Sequence, residues 1–288
     1  LGCGDRPRRS RVSTQMLGPA EIRDLAALLG IQPTKKLGQN FVIDANTVRR
    51  IVTTAGVQPG ESVVEVGPGL GSLTLGLLAA GASVVAVEID GRLAAQLPIT
   101  VEQLQPGAPL IVVTADAMRI TELPGEPTIL VANLPYNISV PVLIHFMETF
   151  RSIRSGLVMV QAEVGQRLAA PPGSKVYGGP SVKAAWFGSW STAGQVSREV
   201  FWPVPNVDSI LVSFRLRHEE IGTESERLRT FALVDAAFQQ RRKMLRQSLA
   251  PVLGGSTTAS AVLTRAGIDP TERGERLTVD HFLAIARA

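Results

Sequence analysis

The 288-residue chain has one cysteine, Cys3, and three scattered histidines, His145, His218 and His281. A single cysteine excludes an internal disulfide and a thiolate metal cluster. Three dispersed histidines argue against a His-based metal centre, so no metal is expected. The cysteine poverty suits a reducing cytosol. Residues 66–87 contain no charge and have the length of a membrane span. Gly67, Pro68, Gly69, Gly71, Gly76 and Gly81 interrupt them, and the pattern reads as strand end, loop, helix and second strand. The basic N-terminus is not followed by the apolar run of a secretory signal. A cytoplasmic location without membrane attachment is the expectation.

What is present suits a globular protein. Hydrophobic residues make up 45% and charged residues 19%, enough to bury a sizeable core. At roughly 150 residues per domain, the length gives one large domain or two smaller ones. The net charge of +4 is unevenly spread: residues 1–36 hold seven Lys/Arg against three Asp/Glu, residues 37–218 twelve against thirteen, and residues 219–288 ten against nine. The excess sits at the N-terminus, and residues 1–18 read as a basic, disordered arm.

Short apolar runs at 62–66, 84–88, 110–114, 128–132 and 157–161 alternate with helix-like stretches at 70–80, 91–103 and 139–150. Continuous apolar strands are those of a parallel sheet covered on both faces, and the alternation predicts a doubly wound α/β domain over 19–218. Asp44 is placed to cap a helix over 44–56. Two β-like runs surround Pro203 and Pro205. From about residue 223 the apolar positions recur at helical spacing, which predicts a small all-helical domain over 219–288.

The segment Glu65-Val66-Gly67-Pro68-Gly69-Leu70-Gly71 follows the first apolar strand and opens a helix. Glycines there allow a sharp turn and close approach of a ligand. Glu88, at the end of the next strand, is placed to accept hydrogen bonds from two ribose hydroxyls. A dinucleotide fingerprint would need its third glycine at position 72, which is Ser72, so an NAD-dependent enzyme is disfavoured. Asp116, past the third strand, reads on its own as a helix N-cap. In register with Gly67 and Glu88 it reads as a partner for an adenine amino group.

Asn133-Leu134-Pro135-Tyr136 follows the fourth strand, at the sheet edge where α/β folds bind ligands. An asparagine side-chain oxygen and a backbone carbonyl can each accept one hydrogen of an exocyclic amine. Held out of the ring plane, they favour a pyramidal nitrogen whose lone pair is free to attack. Tyr136 offers a face on which a base can stack.

Together these segments resemble the ribosomal RNA adenine dimethyltransferases, from Lys36-Leu37-Gly38-Gln39-Asn40-Phe41 through the glycine loop and Asn133–Ser139 to Phe201-Trp202-Pro203-Val204-Pro205-Asn206-Val207-Asp208-Ser209 and Phe238–Arg246. The glycine loop is similar to the S-adenosylmethionine (SAM) loop of class I methyltransferases. The resemblance implies a Rossmann-like class I SAM-dependent methyltransferase fold with a small all-helical C-terminal domain. It implies SAM as methyl donor, contacted by Asn40, Val42, Gly67, Gly69, Glu88, Asp116 and Asn133. It assigns catalysis to Asn133, Leu134, Pro135, Tyr136 and Phe201, with Phe201 stacking on the base opposite Tyr136. Arg241, Arg242, Lys243 and Arg246, on a helical segment, are implied to contact the rRNA backbone, and Lys175 and Lys183 extend that surface.

Among family members the match is nearest to bacterial enzymes that dimethylate two adjacent adenosines near the 3′ end of 16S rRNA in ribosome biogenesis; a monomer is the expectation for this chain. Gly179 and Ala162 depart from the family pattern, which carries basic residues near those positions. Two other readings use the same motifs: a large-subunit (23S) rRNA methyltransferase of the antibiotic-resistance type, and a SAM-binding-fold scaffold in ribosome assembly.

Overall fold

Runs of valine build the centre of the molecule: Val63, Val64, Val84 and Val85 are each at most 3% exposed, on neighbouring parallel strands. The computed structural model describes residues 15–31 and 40–288. In chain order the elements are α1 (Pro19–Leu28), β1 (Phe41–Val42), α2 (Ala45–Ala55), β2 (Ser62–Val66), α3 (Ser72–Ala79), β3 (Ser83–Glu88), α4 (Gly91–Leu104), β4 (Leu110–Thr114), β5 (Ile129–Asn133), α5 (Ser139–Thr149), β6 (Ser155–Gln161), α6 (Ala162–Leu168), α7 (Gly179–Phe187), β7 (Gly188–Val196), β8 (Phe201–Trp202), β9 (Ser209–Leu216), α8 (Glu224–Gln239), α9 (Leu245–Ser248), α10 (Ala250–Leu253), α11 (Ser256–Arg265) and α12 (Val279–Arg287).

Seven strands form one sheet in the order β4-β3-β2-β5-β6-β9-β7. The five strands from β4 to β6 are parallel, and β9 runs antiparallel to both β6 and β7. Apolar clusters cover both faces, which is why these strands read as unbroken hydrophobic runs. This is the expected Rossmann-like fold. The Asp44 cap is present, its carboxylate accepting from Thr47 N at 2.7 Å.

Three features differ from the sequence reading. Helices α6 and α7 lie in a stretch whose glycines and prolines mask helical periodicity. Strand β7 starts at Gly188, well before the β-like runs read around Pro203 and Pro205. Of the proposed N-terminal arm, residues 15–18 pack against the core: Leu17 is buried, and Gln105 Nε2 donates to the Gln15 carbonyl at 3.3 Å. Residues 1–14 lie outside the described residues.

A third core, centred on Phe231, Val234, Leu245 and Phe282 of the C-terminal helices, also takes in Tyr177, Val182 and Trp186. Helix α7 is therefore shared, and the helical region is fastened to the sheet region through it. Tyr177 Oη donates to the Leu277 carbonyl at 2.8 Å, Lys183 pairs with Asp235 at 2.7 Å, and Arg227 pairs with Glu148. None of the described helices is long and apolar enough to cross a membrane.

Candidate active site

From β2 the chain moves outward through β3 to β4, then returns to β5 on the other side of β2. The loops after β2 and β5 part at that reversal and leave a crevice beyond the carboxyl ends of the strands. A cavity of about 240 Å³ lies there, lined by the glycine loop, by Asn40–Val42, by the ends of β3 and β4, and by Asn133–Ile138.

The glycine loop needs its glycines. Gly69 has φ of 59°, and a Cβ there would stand 2.8 Å from the Phe41 ring. Gly71 has φ of 97°, and its Cβ would meet Leu97 at 2.6 Å. A side chain at either position would be strained in backbone and blocked in space. The loop is tied to the neighbouring strand: Glu88 accepts from Gly69 N at 3.1 Å with one carboxylate oxygen and from Asp90 N at 3.0 Å with the other. Burial raises the pKa of Glu88, partly opposed by these backbone donors.

Glu65, at the end of β2, is 1% exposed, and Thr74 Oγ1 donates to it at 2.6 Å. Burial pushes its pKa up to about 8, Thr74 opposing and the Glu88 charge adding to the rise. Asp116 accepts from Met118 N at 2.9 Å and lies 3.7 Å from Arg119, while also lining the cavity. No helix begins at Asp116, so the helix N-cap reading does not hold: its carboxylate caps a turn and lines the cavity.

Among the described residues, the carboxyl side chains that line the cavity are Glu65, Glu88, Asp90 and Asp116; no Lys, Arg or His lines it, although Arg92 pairs with Asp90 at 2.7 Å and Arg119 lies 3.7 Å from Asp116 at its edge. A pocket walled by carboxyl groups and apolar side chains such as Val87, Ile89 and Leu93 fits a flat, cationic ligand. SAM, with its sulfonium and ammonium groups and its adenine ring, is such a ligand. No group of three or more His, Cys, Asp or Glu among the described residues is arranged to hold a metal ion.

Asn133 ends β5. Its Nδ2 donates to the Asn40 carbonyl at 3.0 Å, joining the two sequence motifs across the cavity. Leu134 is buried and its N–H donates to the Met159 carbonyl at 3.1 Å; the Pro135 carbonyl accepts from Ile138 N at 3.3 Å. These bonds hold the turn against the sheet. Tyr136 is half-buried, lines the cavity, and shares a 2.8 Å hydrogen bond with the Ser209 hydroxyl.

Two expectations need correction. Phe201 is 1% exposed and packs in the core, because its strand β8 pairs with β1 and sets Phe201 opposite Val42. It presents no face to the cavity. Its neighbour Trp202 is half-exposed and stacks on Phe41 at 6.3 Å. The basic cluster lies largely on a turn between α8 and α9 rather than on a helix, with only Arg246 inside α9. Arg241 is engaged within the protein: it pairs with Glu275 at 3.0 Å and donates to the Lys175 carbonyl at 2.7 Å. Lys183 is likewise taken by Asp235, whereas Arg242, Lys243 and Lys175 are exposed.

Other cavity residues carried no assignment from sequence. Phe41 and Glu65 stood inside recognised motifs without a role, and Ile89 follows Glu88 as an ordinary apolar residue. Ser209 closes a recognised segment, but no spacing rule connects positions 136 and 209.

The family model described as ribosomal RNA adenine dimethylase matches residues 31–288. The ribosomal RNA small subunit methyltransferase A of Leifsonia xyli is 69% identical over 274 residues, covering 94% of this chain and 98% of the relative. Its counterpart in Streptomyces griseus is 61% identical over 274 residues, covering 94% of each. A dimethyladenosine transferase from Plasmodium falciparum superposes with a TM-score of 0.71 at 21% identity, over 84% of this chain and 94% of that one. The 23S rRNA methyltransferase ErmE superposes with a TM-score of 0.64 at 26% identity, over 86% and 98%. With a family model spanning nine-tenths of its length, this chain belongs to the ribosomal RNA adenine dimethylase family.

Proposed function

We propose that the chain dimethylates N6 of two adjacent adenosines near the 3′ end of 16S rRNA in the small ribosomal subunit, as a step in ribosome biogenesis. The observation that carries the chemistry is the Asn133–Tyr136 turn opening onto an acid-walled cavity that shares Asn133 with it. The relatives named small subunit methyltransferase A support the choice of rRNA subunit. Bound SAM supplies an electrophilic methyl group, so no strong base is needed.

Each residue then has a task. Glu88 holds the ribose and Asp116 the adenine, with Asn40, Val42, Gly67 and Gly69 shaping the rest of the cofactor site. Asn133, its amide held by the Asn40 carbonyl, turns its oxygen to the target amine. A backbone carbonyl of the Leu134-Pro135 turn is the second acceptor. Tyr136 stacks the extruded base, an interaction worth about 1–3 kcal/mol against an extrusion cost of a few kcal/mol. The exposed Arg242 and Lys243 and the half-buried Arg246 of the helical region, residues 219–288, meet the rRNA backbone. We further place the protein in the cytoplasm as a monomer without a metal.

Incubation with labelled SAM and separated ribosomal subunits lacking the modification tests the reading. Label should enter 16S rRNA as dimethyladenosine. Label mainly in 23S rRNA would favour the resistance-type activity instead, and no label in either would leave a scaffold.

A further inference from the structure

We infer that Ser209 is a positioning residue for the target base: its hydroxyl holds the far end of the Tyr136 ring and so fixes where that stacking platform stands. The inference rests on the function proposed above. Tyr136 stands on a four-residue turn beyond β5, and its ring is carried on two freely rotating side-chain torsions. Nothing in a turn of that kind sets the direction of the ring's long axis by itself. The 2.8 Å bond between the Tyr136 and Ser209 hydroxyls ties down the end of the ring most distant from the backbone.

Ser209 is suited to act as an anchor because it is immobile. It is 0% exposed and opens β9, in register with Gln161 of β6 on one side and Val196 of β7 on the other. The residue before it is tied as well: the Asp208 carbonyl accepts from Ala162 N at 3.0 Å, and the Asp208 carboxylate accepts from Arg198 N at 3.1 Å. The serine oxygen is thus part of the rigid sheet, and the hydrogen bond transmits that rigidity 73 residues back along the chain to the base platform. Burial raises the pKa of the phenol, so it keeps its proton across the physiological range.

A platform fixed in advance loses little rotational freedom when a base arrives, which favours capture and correct alignment of the amine. The consequence for dimethylation is specific. After the first transfer the base must be held, or re-taken, in the same plane with a bulkier nitrogen. A loosened ring should therefore release more monomethylated product.

Ser209→Ala and Tyr136→Phe remove the same bond from opposite ends, and Tyr136→Phe keeps the stacking face. Each should lower kcat/KM for small ribosomal subunits by about fivefold, the effect expected of one hydrogen bond. The double variant should also lose about fivefold rather than the roughly twenty-five-fold of independent effects. SAM affinity by calorimetry should be unchanged in all three, and the monomethyl fraction should rise. Multiplicative losses, or single variants as active as the parent, would overturn the inference. Should Ser209→Ala fail to fold, Tyr136→Phe alone decides: full activity with the hydroxyl absent overturns it. A parent protein that methylates no rRNA would instead overturn the function on which the inference stands.

Discussion

Asn133 Nδ2 and the Asn40 carbonyl, 93 residues apart, are 3.0 Å from one another, and this bond decides which way the Asn133 amide faces. With its nitrogen committed, the amide oxygen turns away from that carbonyl. Asn133→Asp keeps the size and an acceptor but sets a carboxylate oxygen against the Asn40 carbonyl. The loss of the donor and the new repulsion should slow methyl transfer by about tenfold or more, since hydrogen bonds involving charged groups are worth about 1.5–3 kcal/mol. Single-turnover rates with labelled SAM measure it, and a variant as fast as the parent would refute the positioning role.

Glu88 accepts from Gly69 and Asp90 and so holds the glycine loop as well as facing the cavity. Glu88→Ala should weaken SAM binding by roughly tenfold or more, because each hydrogen bond it is proposed to make to the cofactor ribose is worth about 1.5–3 kcal/mol. Isothermal calorimetry reads the effect directly, with circular dichroism to verify that the fold persists.

Glu65 gives a pH dependence with a definite sign. Its pKa in the folded protein is about 8, against 4.5 for the ordinary carboxyl. Between those values the folded chain binds the proton more tightly than the unfolded chain does. Stability from this group is therefore fully present below about pH 4.5 and falls progressively as pH rises to about 8, by an amount on the order of a few kcal/mol. Urea titrations of the parent and of Glu65→Gln across that window should diverge as pH rises, the Gln variant losing less stability. Parallel curves would mean that Glu65 is not a buried neutral acid.

The basic turn should divide into two kinds of residue. Arg241→Ala should cost about 1–2 kcal/mol of stability, chiefly through its bonds to backbone carbonyls, since its half-exposed pairing with Glu275 is screened by water. Arg242→Glu and Lys243→Glu should leave the melting temperature nearly unchanged. They should weaken binding to small ribosomal subunits and reduce the salt slope by about one unit for each phosphate left without its cation.

The inner parallel strands were legible because they are buried on both faces, so Ser62–Val66 coincides with the apolar run that announced it; Leu110–Thr114 coincides as well, although as the edge strand it leaves Ile111 50% exposed. The glycine loop and the Asn133 turn were legible because ligand chemistry constrains consecutive residues. What escaped depends on pairings distant in sequence. Phe201 reads as an available aromatic until the β1–β8 register turns it inward, and Arg241 reads as an exposed cation until the fold brings Glu275 beside it. Ser209 carries no local signal at all, since its partner stands on another strand's turn.

The β1–β8 ribbon is short: two residue pairs, Phe41 with Trp202 and Val42 with Phe201, extended by Ile43 N donating to the Val200 carbonyl at 2.8 Å. Among the described residues no further strand pairs with it, so side-chain packing holds it more than hydrogen bonds do: Phe41, Val42 and Phe201 are buried in the core that backs the seven-stranded sheet. In hydrogen exchange the amides of 41–43 and 201–202 should therefore lose their protection long before those of β2 and β5. Detaching this one ribbon would lift Phe41 from the glycine loop, so one wall of the cavity could open at less than the free energy needed to unfold the parallel strands beneath it.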